Sequence, residues 1–307
     1  MERQNVKSDL VGGLIQLTRW KEHIVFVTPL TLLGGLMAVR MNDLSLDWQI
    51  LTILAANIVA VTCGFMINDI EDAPDDARDP ERALRNPISA GAISVRFGYT
   101  MYYALSIIAI MLYGMVGPRI LVIASVMMIF SHLYSWRPVR LKAFPIVDIL
   151  SHSVLLGGFL ILSGYLVYSP NPANAWWVIA SATFGSLYGQ FYNQIRDYEL
   201  DKEAGLLNTT ILIGKNTTQR IMYLSIALTV ICLAIAIVVE VFPAGLIIAC
   251  IIGLLLSIRY KSGGDMRGTQ AVDASGAQQV RGLIVLNVII MCWFAYVLVG
   301  QMWTAIS

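Results

Sequence analysis

Apolar residues run almost without interruption through nine stretches, 23–39, 48–67, 97–115, 119–134, 147–168, 176–193, 219–239, 242–257 and 282–303, and polar residues gather between them. At ~1.5 Å per residue, helices of these lengths cross most or all of a ~30 Å hydrocarbon layer. Strands closed into a barrel would alternate with period 2, and these runs do not alternate, so helices are the expected spanning element. The expected fold class is all-α, a polytopic membrane bundle of nine transmembrane helices. No low-complexity linker divides the chain, so 1–307 is expected to be a single domain.

Composition agrees: 57% of residues are hydrophobic, 13% are charged and the mean hydropathy is +0.69. The net charge of +1 says little, but its distribution orients the bundle. With nine spans, the N-terminus and the loops after spans 2, 4, 6 and 8 share one side and hold 19 of the 21 Lys and Arg residues, leaving Arg40 and Arg119 opposite. By the positive-inside rule the rich side is cytoplasmic, which places the N-terminus inside and the C-terminus outside. The expected location is the cytoplasmic membrane or its equivalent. Glu2, Asp9 and Glu22 near the start, with no small-residue cleavage site after the first span, argue against a removed signal peptide. Cys63, Cys232, Cys250 and Cys292 all fall in apolar spans without CxxC spacing and read as small core residues. No nucleic-acid partner is expected.

The long loops on the cytoplasmic side hold the chemistry. Met66 to Asp79 packs six carboxylates into fourteen residues directly after span 2. Within it, Asn68, Asp72 and Asp76 are spaced i, i+4, i+8, and the same order returns 125 residues later as Asn193, Asp197 and Asp201 after span 6. On a helix leaving the membrane this spacing sets a ladder of oxygens along one face. Asp69 lies close enough to join the first ladder, while Pro74 offers a break or kink before Asp76. The competing reading of either cluster alone is solvated loop charge. Two clusters of matching spacing at a membrane boundary favour a shared task. Glu71, Asp75 and Asp79 lie off the ladder and read as solvated charge, so their alanine variants are expected to retain most activity.

Carboxylates crowded into a partly desolvated cavity either stay protonated or recruit cations. Hard oxygen ligands without nearby His or Cys point to Mg²⁺, which usually binds through one or two carboxylates completed by substrate phosphates. Cations for such phosphates stand nearby: Arg137, Arg140 and Lys142 after span 4, Arg82 and Arg85 after the first cluster, Arg196 and Lys202 around the second. Their competing reading is membrane topology. Together the three features suggest a diphosphate whose organic tail lies among the helices.

Asn68-Asp-Ile-Glu-Asp72-Ala-Pro-Asp-Asp76 matches an NDxxDxxxD motif and Asp197-Tyr-Glu-Leu-Asp201 a DxxxD motif, and with these the chain resembles the UbiA superfamily of intramembrane prenyltransferases. The likeness extends through Arg85 to Gly91, Tyr134 to Lys142 and Asn193 to Gly205, with Asn86 standing where Arg before Pro is common. The resemblance implies transfer of a prenyl group from an allylic isoprenyl diphosphate to a lipophilic acceptor in the bilayer. It implies Mg²⁺ held by Asp69, Asp72, Asp76, Asp197 and Asp201, with Asn68 and Asn193 as neutral ligands or orienting groups. Arg82, Arg85, Arg137, Arg140, Lys142 and Lys202 are the expected diphosphate contacts, and Asp72, Asp197 and Tyr134 the expected catalytic residues.

Several residues admit two readings. Tyr134, Tyr188, Phe191 and Tyr192 read either as faces that stabilise an allylic cation or as packing. Gly34, Gly35, Gly157 and Gly158 read as close helix contacts or as the lining of a groove. Asp148, four residues before His152, reads as a base for the acceptor or as half of a structural pair. A cation-coupled transporter is the rival from another class, disfavoured because the acids gather at one membrane face rather than the midplane. A phospholipid-forming phosphotransferase is disfavoured because no DGxxAR run is present. The Asn193-Gln-Ile-Arg-Asp197 stretch leans toward an aromatic quinone precursor as acceptor, against an isoprenoid glycerol phosphate, a carotenoid or a chlorophyll-type lipid.

Overall fold

The computed structural model describes residues 10–259, 264–265 and 271–306, so Glu2, Arg3, Lys7, Asp9, Lys261 and Arg267 of the charge pattern lie outside the described residues. In chain order the helices are α1 (Leu10–Thr18), α2 (Trp20–Met41), α3 (Gln49–Asp76), α4 (Pro80–Arg85), α5 (Val95–Val116), α6 (Pro118–Ser135) and α7 (Val147–Ser153). They continue with α8 (Phe159–Leu166), α9 (Trp176–Arg196), α10 (Tyr198–Glu203), α11 (Thr209–Ile213), α12 (Lys215–Val238), α13 (Ala244–Ser257) and α14 (Ala274–Ile306). One π-helical turn, Val154–Gly158, joins α7 to α8 into a continuous rod.

Each of the nine apolar stretches lies on a helix. Among the described residues seven helical segments are long and apolar enough to cross a membrane: α2, α3, α5, α6, the α7–α8 rod, α12 and α14. The other two stretches fall short for different reasons. α13 has only 14 residues, and α9 carries Gln190, Asn193 and Gln194, the polar groups that a site requires of it.

Burial separates inner helices from outer ones. α2, α3 and the α7–α8 rod are mostly enclosed, whereas α5, α6, α12 and α14 turn most of their surface outward. The outward side chains include Ile107, Met111, Val122, Ile129, Leu224 and Val288, as lipid contact requires. α2 meets α8 where Gly34 and Gly164 face each other's backbones. A Cβ on Gly34 would strike the Ile161 carbonyl and one on Gly164 the Thr31 carbonyl, so the absent side chains permit the crossing. Gly157 similarly touches the Ala182 backbone of α9. The glycines named from the sequence therefore serve packing.

A polar knot pins the inner helices in the apolar layer. Fully buried Asn57 of α3 donates to Thr31 Oγ1 of α2 and Ser163 Oγ of α8, both at 2.9 Å, and accepts from Tyr113 Oη of α5 at 2.8 Å. Such interhelical bonds contribute about 0.6–2 kcal/mol each in a bilayer. They also fix the relative heights of α2, α3, α5 and α8.

Candidate active site

α3 does not stop at the membrane boundary or at Pro74; it runs to Asp76. Asn68, Asp72 and Asp76 thus share one face, and the break expected at Pro74 does not occur. The second row differs. α9 ends at Arg196 and α10 begins at Tyr198, with Asp197 between them at φ −88°, ψ 3°. The bonds Asp197 N to Asn193 O and Asp201 N to Asp197 O, both 2.9 Å, carry the four-residue spacing across the break.

The two rows face each other across a cavity of about 800 Å³. Arg82 stands between them, 3.9 Å from Asp197 and 3.8 Å from Asp201. Its helix, α4, is started by Asp79, whose Oδ1 accepts from the backbone N–H groups of Glu81 and Arg82 at 2.9 Å. Asn86 follows and donates to Asp76 Oδ2 at 2.9 Å and to the Asp69 carbonyl at 2.7 Å. From the other side Arg140 reaches Asp72 at 3.2 Å, and Lys142 pairs with Asp72 and donates to Asn68 Oδ1 at 3.0 Å. Asn208 donates to Asp201 Oδ2 at 3.0 Å. Burial and then the Asp197 charge push the Asp201 carboxyl up to about 6, with Asp72 of the opposite row adding repulsion and Arg82 and Lys142 opposing it.

Below this polar mouth the walls become apolar. The site face of α3 continues inward through Phe65, Gly64, Val61 and Ala60, facing Met127 and Met128 of α6 and Leu155, Leu156, Phe159 and Leu160 of the rod. Counting back from Asn68 to Ala60 at ~1.5 Å per residue, the apolar part is about 12 Å deep. Tyr134 sits at the junction with its Oη accepting from Gln190 Nε2 at 3.0 Å.

Several expectations change. Arg137 and Lys202 are exposed and do not line the cavity, while Arg85 lines it from an exposed position. Asp69 is 5% exposed and pairs with Arg19 at 3.1 Å, a cation the sequence reading missed; Arg19 also packs over Phe65. Tyr188, Phe191 and Tyr192 do not face the cavity. They form a core cluster with Ile149 and Met222, in which Tyr188 Oη donates to Ser275 Oγ and Tyr192 Oη accepts from the Val272 N–H. Glu71, Asp75 and Asp79 are not solvated charge: Glu71 is 6% exposed, Asp75 pairs with Arg137 and Arg140, and Asp79 caps α4. Asp148 is fully buried and accepts from Gln194 Nε2 at 2.6 Å and from Thr209 N and Oγ1 at 2.8 and 2.5 Å, a structural tie between α7, α9 and α11. Gln194 completes the tie by accepting from Thr210.

The donor set suits Mg²⁺ in kind, since every carboxylate at the mouth is a hard oxygen donor. Among the described residues no three His, Cys, Asp or Glu side chains converge closely enough to share one ion. Each row instead offers one or two carboxylates, which Mg²⁺ uses when phosphate oxygens and waters complete its shell.

A helical bundle enclosing an apolar chamber, with facing rows of carboxylates and cations at its mouth, defines an integral membrane protein with an amphiphilic cavity. Residues 27–275 match the model of the UbiA prenyltransferase family, and the chain belongs to that family. It is 27% identical over 187 residues to a 4-hydroxybenzoate octaprenyltransferase of Shewanella woodyi, a match spanning 59% of this chain and 62% of that one. It is 28% identical over 172 residues to a digeranylgeranylglyceryl phosphate synthase of Methanopyrus kandleri, spanning 55% of this chain and 60% of that one. These matches therefore cover less than two thirds of either relative. A structure of a UbiA homologue from Archaeoglobus fulgidus, bound to GPP and Mg²⁺, superposes with a TM-score of 0.72 over 93% of this chain and 99% of that one at 20% identity. The apo structure of a UbiA homologue from Aeropyrum pernix gives 0.67 over 92% and 98% at 16% identity. At such identities the likeness is one of fold.

Proposed function

We propose that the chain transfers a prenyl group from an allylic isoprenyl diphosphate to a lipophilic acceptor, with Mg²⁺, from a site that opens to the cytoplasm. The observation that carries this is the convergence of both acid rows with Arg82, Arg140 and Lys142 on one cavity whose walls turn apolar below Asn68. Asp72, Asp76, Asp197 and Asp201 would hold Mg²⁺, while Asp69 already has Arg19 as a partner. When bound, Mg²⁺ neutralises charge building on the leaving diphosphate and so favours cleavage of the allylic C–O bond.

The chain's own residues do the rest. Arg82, Arg140 and Lys142 present positive charge to phosphate oxygens, Arg in a fork that matches them and Lys as a compact charge. Ser135 and Lys142 both donate to Asn68 Oδ1, at 3.1 and 3.0 Å, and so fix the side-chain amide beside the metal carboxylates. Phe65, Met127, Leu156 and Phe159 exclude water from the tail and from the cation formed at its end. The Tyr134 ring, held by Gln190 at the junction of the polar mouth and the apolar chamber, would attract that cation through its π face. For the acceptor, the reading favours an aromatic quinone precursor. The two relatives above are named for both an aromatic and a glycerol phosphate acceptor, so both belong in the assay.

The test is to incubate purified protein with radiolabelled farnesyl or geranylgeranyl diphosphate, Mg²⁺, and 4-hydroxybenzoate or an isoprenoid glycerol phosphate. The expected result is a prenylated acceptor and released diphosphate, both lost on adding EDTA. Ion flux in liposomes without diphosphate release would replace the transferase with a transporter.

A further inference from the structure

Resting on that reading, we propose that Glu71 and Asp75 are positioning residues, a carboxylate anchor that holds loop 136–142 so that Arg140 and Lys142 stay aimed at the diphosphate while metal and substrate occupy Asp72.

The anchor is a second stripe on α3. Residue 71 follows residue 68 by three positions, so at 3.6 residues per turn the 71–75 stripe lies about 60° round the helix from the Asn68–Asp72–Asp76 row. Glu71 faces α5 and the loop after α6 and does not line the cavity, while Asp75 stands at the cavity's rim and turns its carboxylate to Arg137 and Arg140. Glu71 Oε1 accepts from Tyr99 Oη of α5 at 2.5 Å, and its Oε2 accepts from the Arg137 backbone N–H at 3.2 Å. The Arg137 guanidinium then donates twice more to the stripe, Nε to the Glu71 carbonyl at 2.7 Å and Nη2 to Asp75 Oδ2 at 2.9 Å. The same Asp75 oxygen accepts from Arg140 Nη2 at 2.9 Å.

The loop does not hold this shape by local preference alone. Arg140 adopts φ +47°, a left-handed conformation that a side chain with a Cβ resists, and the turn Leu141–Ala143 follows immediately. Without an external tether the loop would relax toward other conformations. Two kinds of tether exist. The contacts of Arg140 and Lys142 with Asp72 belong to the site itself, and a metal–diphosphate would compete for that carboxylate. The contacts with Glu71, and the Asp75 oxygen that holds both Arg137 and Arg140, do not depend on Asp72 and so remain when Asp72 changes partner. Arg140 Nε is buried with no hydrogen-bond partner among the described residues, a donor that a phosphate oxygen would satisfy. The anchor thus pre-positions two cations whose ordering would otherwise have to be supplied by substrate binding.

The experiment compares the full-length protein in nanodiscs with Glu71→Ala, Asp75→Ala, Glu71→Gln and Asp75→Asn. The KM for the allylic diphosphate, the KM for the acceptor and the melting-temperature rise caused by inorganic pyrophosphate plus Mg²⁺ are measured for each. Alanine at either position is expected to raise the diphosphate KM roughly tenfold and to shrink the pyrophosphate shift, with the acceptor KM unchanged. Glu71→Gln keeps an acceptor for Tyr99 or Arg137 and is expected to recover most of the loss. If an alanine variant does not fold, the amide variants decide the matter: Asp75→Asn weakens its two ion pairs and is expected to raise the diphosphate KM alone. An unchanged diphosphate KM and pyrophosphate shift, or both KM values rising together with a fall in melting temperature, would overturn the anchor. A wild-type protein with neither turnover nor a pyrophosphate shift would overturn the transferase reading itself.

Discussion

Replacing Asp72 or Asp197 with alanine is expected to lower Mg²⁺-dependent diphosphate release by roughly 10²–10³-fold, the scale on which loss of one preorganised group that stabilises developing charge is felt. The fold should survive both changes. Without Asp72, Arg140 keeps Asp75 and Lys142 keeps Asn68; without Asp197, Arg82 keeps Asp201 and Arg196 keeps Asp265 at 2.9 Å. The measurement is single-turnover release of labelled diphosphate alongside a melting curve. Retained turnover in either variant would remove that row from the site.

Asp148→Ala is expected to act on stability first. The substitution strands Gln194 Nε2, the Thr209 N–H and the Thr209 hydroxyl in a buried region, and each unsatisfied group costs about 1–3 kcal/mol. Melting in detergent should fall by roughly 5–10 °C. Activity should fall in parallel, because Gln194 adjoins Asn193 and the tie fixes the end of α9. A variant that melts like the wild type but no longer turns over would instead make Asp148 the base for the acceptor.

These expectations show what one-dimensional patterning conveys. Apolar runs are long-range statements about solvent, so all nine stretches reappear as helices, and α9 falls short of the others because its polar residues serve the cavity. The spacing of Asn68, Asp72 and Asp76 is a statement about one helix face, and α3 obeys it even through Pro74. What lies against that face is not encoded in spacing. Glu71 looks like any loop acid in the sequence, yet α5 and Arg137 close over it; Tyr188 and Tyr192 look like candidate site aromatics, yet α14 and the segment before it take their hydroxyls. Arg19, in the break between α1 and α2, has its partner Asp69 fifty positions away, and no local spacing links the two. The same helical period does hold the signal for the chamber walls: stepping back from Asn68 by three and four gives Phe65 and Gly64, and again Val61 and Ala60.

The central claim is that the two acid rows act on one diphosphate. Its most direct test is a crystal or cryo-EM map of the protein with Mg²⁺ and a non-reactive allylic thiolodiphosphate. The account requires diphosphate density between Asp72 and Asp76 on one side and Asp197 and Asp201 on the other, with the hydrocarbon tail beside Phe65 and Phe159. Diphosphate bound elsewhere, or metal density on neither row, would contradict it.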